Sequence, residues 1–547
     1  MINAKASVPF PINEPVLSYA PGTPERAALK EMLGRLRAEH LEIPLIIGGK
    51  EVRTGSLGRC ILPHEHGTVI GAYHQAGERE VRMAAEAAGK AAAAWGSMDW
   101  QDRAAVFLKA ADLLAGPRRA LANASCMLSL SKSAFQAEID SACETIDFLR
   151  FNCYYAMQVY EHQPLYSPRG AWNRMEYRPL EGFVFAVTPF NFVSIAANLP
   201  TAPAIMGNVC LWKPASNAVY PAFRLMQLLL EAGLPEGVIN FLPGPGGEIG
   251  PAVMALPELA GIHFTGSTAT FQGIWSTVGL NIGSYRSYPR LVGETGGKDF
   301  VFAHRSAGIE ELGTALIRGA FEYQGQKCSA VSRAYIPRSI WGHLQDYLLN
   351  ELPTIRMGGV EDFANFMNAV IDEQALKRIA GYIEEGRSSS GVEVLFGGGI
   401  DGSRGFFIQP TVLVTTDPRC RMMQEEIFGP VLTVYVYEDG SAADYEAALR
   451  LCDQTSPYGL TGAIFARERE ALATAQRILV NAAGNFYLND KPTGAVVGQQ
   501  PFGGSRASGT NDKAGCSLNL LRWVSAQATK ENFAPAVDYR YPFMAES

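Results

Sequence analysis

Two stretches of the chain alternate short apolar runs with longer helical ones. In the first, "GFVFAVTPF" leads into a helical segment to Met206, "NVCLWKP" into another to Ala232, and "VINFLPG" and "GIHFTG" close the series. The second runs from about Lys298 to Phe465, with "FVFAH", "RAYIP", "FFIQPTVLV", "VLTVYVY" and "GAIFA" as its strands. Short apolar strands alternating with helices predict parallel sheets covered by helices on both faces, so the fold class is α/β.

The rest of the chain reads differently. Pro24 to His40 has a helical pattern, and "IPLIIGGKEV" reads as a short strand pair. From Glu78 to about Glu161 the text is almost wholly helical. Ala84, Ala85, Ala87, Ala88 and Ala91 to Ala94 are strong helix formers that predict close helix packing, and Pro117 breaks the run. "YSPRGAWNRMEYRPLEGFVFAV" carries two β-like runs joined by a polar turn, which predicts a hairpin exposed on at least one side. From Ser508 on, the only apolar run is "SLNLLRWVS". Such a segment suits an arm or edge strand lying on a neighbour, because it cannot build a core alone. No internal repeat is visible.

Composition narrows the class. At roughly 100–200 residues per domain, 547 residues predict three to four compact units with ample core. Lys plus Arg is 47 and Asp plus Glu is 54, a net charge of -7. That leaves no basic footprint for nucleic acid. No stretch approaches the ~18 continuous apolar residues of a membrane span. The nine cysteines are scattered without a C-x-x-C, which argues against a disulfide framework or a zinc ribbon. Only His64 and His66 lie close together, so no metal is expected. The segment Met1 to Tyr19 lacks both a secretory apolar core and Arg-rich amphipathic character. A cytoplasmic location is expected, or a mitochondrial-matrix one if a transit peptide has been removed.

Four places carry candidate chemistry. Cys328 in "EYQGQKCSA" has the most polar surroundings of the nine thiols. Gly325 allows a turn, Lys327 sets a cation beside the thiol, and Ser329 and Ala330 are expected to open a helix; a reactive thiol needs such surroundings and access. An inert buried thiol is the alternative. Glu294 in "RLVGETGGKDFVF" sits among glycines at a strand end, as a general base would, and as many solvated loop glutamates do. Asn191, in "AVTPFNF", follows an apolar strand; its amide is either an oxyanion donor or a turn residue. For a phosphate, "GPGGEIG" (Gly244 to Gly250) reads mostly as turn chemistry, whereas Gly266 and Ser267 in "GIHFTGSTATF" end a strand and start a helix. Lys213 ends another strand of the same half, within reach of a ribose.

Taken in this order, "TPFN", "WKP", "FTGS", "ETGGK", "GQKCSA", "EEIFGPV" and "QQPFGGSRASG" resemble the aldehyde dehydrogenase superfamily over nearly the whole chain. "FEYQGQKCSA", "NAAGNFYLNDKPTGAVVGQQPFGGSRASGTNDK" and "NEPVLSY" resemble more narrowly the monofunctional branch that oxidises glutamate-γ-semialdehyde, the open form of 1-pyrroline-5-carboxylate, to glutamate in proline catabolism. The resemblance implies a Rossmann-type NAD domain over about 20–164 and 187–293, and a catalytic α/β domain over about 294–503. It also implies an oligomerisation element over about 165–186 and 504–547, hence a homodimer or larger homo-oligomer.

By the same resemblance, Cys328 attacks the aldehyde, Asn191 and the Cys328 backbone N–H hold the oxyanion, hydride passes to NAD, and Glu294 activates water to hydrolyse the thioester. Lys213 would serve the adenine ribose and Gly266 with Ser267 the pyrophosphate. Thr188, Thr268, Ala269 and Thr270 would line the same site, Glu426 would bind the nicotinamide ribose, and Phe428 would pack near the ring. The substrate carboxylate would meet Ser329 and the N–H groups of Gly494 and Ala495. Phe192 and Phe502 would flank its stem, Glu144 would lie near the pocket mouth, and Lys327 would add positive potential. Ser216 stands where many NAD-preferring members carry a glutamate that repels the 2′-phosphate of NADP. Two readings compete with this one: a dehydrogenase for another semialdehyde such as succinate semialdehyde, and a non-catalytic protein on the same scaffold; a thiol-dependent esterase side activity is compatible with the same residues.

Overall fold

The computed structural model describes residues 6–545. Two seven-stranded sheets form its framework. The first has the order Arg290–Glu294, Leu259–Thr265, Phe183–Val187, Val209–Lys213, Ile239–Phe241, Leu45–Ile47, Lys50–Val52. Its first five strands are parallel, and the last two add as an antiparallel edge, the strand pair expected from "IPLIIGGKEV". Val209–Lys213 and Leu259–Thr265 are buried end to end, which is why they read as continuous apolar runs. Phe183, Phe185 and Leu211 point to one face, Val184, Ala186 and Trp212 to the other. The chain starts this parallel set in its middle, builds outward on one side, then returns to the other. That switch of direction lies between Phe183–Val187 and Leu259–Thr265, where open α/β sheets bind ligands beyond their strand ends. Asn191, Lys213, Ser267 and Glu294 all lie at or just past such ends.

The second sheet has the order Val392–Phe396, Thr411–Thr415, Val431–Tyr437, Val331–Pro337, Asp299–Ala303, Thr461–Phe465, Asn485–Leu488. It is parallel except for its first strand. Cys328 sits just before Val331–Pro337, so the start of this sheet faces the strand ends of the first.

The expected helical tract divides into Glu78–Ser97, Trp100–Ala115, Arg119–Leu130, Ala134–Ala137, a π-helical turn Glu138–Glu144, and Thr145–Glu161, with Pro117 in one of the breaks. Ala84 and Ala88, one turn apart, are fully buried against the first sheet, as their size permits. The antiparallel pair Leu57–Leu62 and Glu65–His74 is not readable in the sequence, because two register shifts interrupt its alternation.

The hairpin expected at 165–186 does not form. Ala171–Arg178 pairs antiparallel with Ser525–Asn532 along its full length, while Phe183–Val187 belongs to the first sheet. The domain of the first sheet therefore resumes at Phe183, ahead of the expected 187. The cause is burial: Phe183–Val187 is apolar on both faces, whereas Ala171–Arg178 is mostly half-exposed and suits a two-stranded edge. The tail strand thus pairs with its own chain. "SLNLLRWVS" anchors it, with Leu520 and Trp523 fully buried and the Trp523 ring 4.7 Å from that of His263.

Candidate active site

The approach to Cys328 is a tight left-handed turn. Tyr323, Gln324 and Gly325 have φ of 51°, 56° and 65°. Glycine is required at 325 on two counts, since a Cβ there would also lie 2.3 Å from the Gly429 carbonyl oxygen. The turn is held by its glutamines. Gln324 Nε2 donates to the Ala369 carbonyl (2.7 Å) and the Ser131 carbonyl (3.1 Å), and Gln326 Oε1 accepts from Ile371 N–H (2.9 Å). Cys328 is 8% exposed. No helix opens after it; Ser329 and Ala330 lead into the buried strand Val331–Pro337, whose β-branched and aromatic residues override the small-residue signal. Lys327 does not supply free positive potential. Its side chain is buried and its Nζ is paired with Glu322 (3.2 Å).

The Cys328 thiol donates to Glu294 Oε1 across 3.8 Å. Burial pushes the thiol pKa well up, and the carboxylates of Glu294, Asp299 and Glu426 push the same way. Burial also raises the Glu294 carboxyl to about 7, with the thiol hydrogen bond opposing. A base poised near neutrality facing a neutral thiol can take the thiol proton, and later that of a water. Asn191 is buried, and its Nδ2 donates to the carbonyl of Gln326 (3.1 Å), two residues before the thiol. The amide is thus already directed at the nucleophile loop. The glycines after Glu294 are spacers. A Cβ on Gly296 would lie 2.2 Å from Glu426 Oε2, and one on Gly297 would lie 2.2 Å from the Cys328 carbonyl oxygen.

Ser267, Thr268 and Ala269 line one side of a cleft of about 600 Å³, and Glu426 lines the other. Ser267 caps the helix Thr268–Leu280, accepting from Thr270 N–H (3.3 Å), and the Ser267 and Thr270 hydroxyls lie 2.7 Å apart. Gly266 N–H donates to the Glu294 carbonyl (3.2 Å), tying this turn to the base. Glu426 accepts from Gly297 N–H (2.9 Å), and burial lifts its carboxyl to about 7. Phe428 has φ of 55° and meets Phe190 edge-on at 5.8 Å. Thr188 is buried, its hydroxyl accepting from Trp212 Nε1 (3.0 Å). Among the described residues no carboxylate is within ion-pair distance of Lys213, and burial lowers its ammonium to about 8. Ser216 is exposed just beyond it. The run Gly244 to Gly250 is more than a turn: it opens the helix Gly246–Met254, and a Cβ on Gly246 would lie 3.7 Å from Lys213 Nζ.

The residues expected to meet substrate converge only in part. Ser329 exchanges a hydrogen bond with the Thr493 hydroxyl (2.9 Å), which brings it to the loop of Gly494 and Ala495. Gly494 has φ of +93° and is exposed. Phe502 and Glu144 line one narrow cavity of about 40 Å³ together with Phe148, Glu294 and Lys513. Burial and the neighbouring Asp140 raise the Glu144 carboxyl to about 8, and it lies 2.9 Å from the Ser194 hydroxyl. The Phe192 ring carries the Lys132 ammonium on its face, 4.4 Å from the centroid. Two cations at the site lie within the segment that carries the family resemblance but draw no functional expectation there. Lys491 Nζ donates to the Thr493 carbonyl (3.1 Å) under the anchor loop, and Lys513 Nζ donates to Gly484 and Gly503 carbonyls (2.8 and 2.9 Å) beside Glu294. Both lie in loops, and only tertiary placement brings them in. Among the described residues no group of three or more His, Cys, Asp or Glu could hold a metal ion.

A doubly wound sheet whose strand ends deliver an amide and a carboxylate to a buried thiol defines an enzyme of carbonyl chemistry. The chain belongs to the aldehyde dehydrogenase family, which its residues 53–528 match. It is 51% identical to the mitochondrial delta-1-pyrroline-5-carboxylate dehydrogenase of Dictyostelium discoideum, over 99% of this chain and 97% of that one. The Homo sapiens protein of the same name is 46% identical, over 97% and 94%. The crystal structure of the delta-pyrroline-5-carboxylate dehydrogenase from Mycobacterium tuberculosis bound with NAD has a TM-score of 0.96 and 52% identity, with 100% of both chains covered.

Proposed function

We propose that the chain oxidises L-glutamate γ-semialdehyde to L-glutamate with NAD, the step that completes proline catabolism. The observation that carries the chemistry is the 3.8 Å approach of the Cys328 thiol to Glu294, with the Asn191 amide bound on the same loop. Glu294 takes the thiol proton, and the thiolate adds to the aldehyde carbon. Asn191 Nδ2 leaves the Gln326 carbonyl to hold the oxyanion. The chemistry NAD supplies when bound is acceptance of hydride from this tetrahedral carbon, which leaves a thioester on Cys328. Glu294 gives up the thiol proton to solvent and, ionised again, takes a proton from water, whose attack on the thioester carbon releases the acid and the Cys328 thiolate. Lys213, Ser267 and Glu426 would hold the cofactor. A desolvated ammonium without an internal carboxylate partner fits ribose hydroxyls, and the capped helix start fits a pyrophosphate.

The substrate assignment rests on the relatives' names and on the anchor loop. Ser329 and Thr493 share a hydrogen bond beside a glycine, and Lys491 lies beneath. A carboxylate held there fixes one end of the substrate while Cys328 fixes the other, and such a site rejects uncharged analogues. Ser329→Ala is expected to lower kcat/KM for glutamate semialdehyde by about 1.5–3 kcal/mol, the range for a hydrogen bond to a charged group. Pentanal turnover should be nearly unchanged. Equal losses on both substrates, or equal wild-type rates, would remove the carboxylate anchor.

NAD should be preferred and NADP tolerated, because exposed Ser216 presents no charge to a 2′-phosphate. Ser216→Glu should lower the rate with NADP selectively; comparable losses with both cofactors would place residue 216 away from the ribose. The strand pair Ala171–Arg178 with Ser525–Asn532, and the exposed Phe533, Val537, Tyr539 and Phe543 beyond it, support a homo-oligomer assembled through this edge. The free cysteines fit a reducing compartment, cytoplasm or mitochondrial matrix. No helix among the described residues is long and apolar enough to cross a membrane.

A further inference from the structure

Lys132 is fully buried, and the mechanism above gives it no task. Its Nζ donates to Asp140 Oδ2 at 2.6 Å. The ammonium also lies 4.4 Å from the ring centroid of Phe192 and 4.4 Å from that of Tyr323. Those two rings come from different parts of the site. Phe192 follows the oxyanion donor Asn191 directly. Tyr323 begins the left-handed turn that ends at Cys328. The neighbouring Ser131, itself at φ 57°, touches the nucleophile turn as well, its carbonyl accepting from Gln324 Nε2.

Asp140 continues the same connection. Its two carboxylate oxygens accept from the N–H groups of Val193 (3.0 Å) and Ser194 (2.9 Å) and from the Ser194 hydroxyl (2.8 Å). These are the first two residues of the helix Val193–Ile205, whose N-cap, Phe192, offers no side-chain acceptor. A carboxylate supplied from the π-helical turn Glu138–Glu144 thus does the capping and fixes where the Asn191 segment enters the helix. One buried ion pair therefore reaches both halves of the reacting geometry.

We infer that Lys132, with Asp140, is a positioning residue that sets the Asn191 amide against the Cys328 loop by binding Phe192 and Tyr323 on a shared ammonium. It touches neither substrate nor cofactor. Cation–π attraction is strongest for a desolvated cation, and here the ammonium and the Tyr323 ring are out of water while the Phe192 ring is half-buried. The contact is also directional, because a ring must present its face. Its loss would let the amide drift relative to the oxyanion, and a misplacement of about 1 Å can cost roughly 100-fold in rate.

The inference rests on the proposed thioester chemistry, so the test begins with wild-type full-length enzyme. Absent NADH formation there would sink the proposed function, and the ammonium clamp built on it would fall with it. With active wild type, Lys132→Met is expected to lower kcat by about 30- to 100-fold. Kd for NAD and the rate of Cys328 alkylation by iodoacetamide should each stay within about threefold, since neither uses the oxyanion geometry. Lys132→Arg, which keeps the charge and its ring contacts, should recover at least about ten-fold of the loss. A variant pair covers the case in which Lys132→Met does not fold. Tyr323→Phe keeps the ring and removes a buried hydroxyl that has no hydrogen-bond partner, so kcat should hold. Tyr323→Leu removes the ring, and kcat should fall by about ten-fold or more. Unchanged kcat in folded Lys132→Met, equal kcat in the two Tyr323 variants, or losses shared equally by kcat, NAD affinity and thiol alkylation would each overturn the inference.

Discussion

Replacing Cys328 with alanine is expected to abolish NADH formation, by about 10⁴- to 10⁶-fold, the scale for loss of a covalent nucleophile. Burial pushes up the thiols of Cys126, Cys153, Cys210 and Cys452 as it does that of Cys328, so what sets Cys328 apart is Glu294 as its hydrogen-bond acceptor. NAD affinity should stay within about twofold, because Lys213, Ser267 and Glu426 hold the cofactor without the sulfur. The fold should tolerate the change, since one buried atom is removed from a rigid turn whose glutamine contacts remain. The Glu294 carboxyl should move further upward, because the thiol hydrogen bond is the larger of the two influences that oppose its burial, the other being the Lys513 charge. Residual turnover above about one part in a thousand, with NAD still bound, would place the nucleophile elsewhere.

Much of this site is legible in the order of the amino acids. Strand–helix alternation points to both parallel sheets, because strands buried on both faces are largely apolar, as Val209 to Trp212 are. The chemistry then falls at strand ends, where Asn191, Lys213, Ser267 and Glu294 are expected and where they lie. Turn glycines are readable for the same reason: Gly325 needs its positive φ, and Gly296 and Gly297 leave room for Glu426 and the Cys328 carbonyl.

What fails to show in the sequence depends on contacts that only the folded chain makes, some with distant partners and some within a few residues. Ala171–Arg178 has the local pattern of a hairpin arm, yet its partner is Ser525–Asn532. Lys327 looks like a cation beside the thiol, and only the fold sends its ammonium to Glu322. Lys513 and Lys491 lie within the motif "NAAGNFYLNDKPTGAVVGQQPFGGSRASGTNDK", but nothing in its spacing marks them as site cations, and they enter the site through backbone carbonyls. Glu144 reads as a helical glutamate; burial, with the nearby Asp140 adding to it, raises its carboxyl to about 8. Sequence spacing gives the residues that act along one strand or turn, and it misses contacts set by how those strands and turns pack.

Glu294→Gln is expected to separate the two half-reactions. Glutamine is close in size and cannot accept a proton, so the thioester forms and then persists. One NADH per active site should appear in a burst, followed by a steady rate lower by about 10²- to 10⁴-fold, the usual contribution of a positioned base. The burst itself should be slower at neutral pH, because in the wild type the carboxylate also receives the thiol proton across 3.8 Å. The pH profile provides a second reading. With its carboxyl raised to about 7, Glu294 is protonated and idle below that pH and ionised above it. The wild-type steady rate should therefore climb as pH rises through about 7 and level off above. In Glu294→Gln that step should vanish from the steady rate, while the burst rate should rise at higher pH, where the thiol ionises without help. Stopped-flow absorbance at several pH values measures both. A steady rate near that of the wild type would assign the water to another base, and a missing burst with a reactive thiol would mean that Glu294 is indispensable already for thiohemiacetal formation.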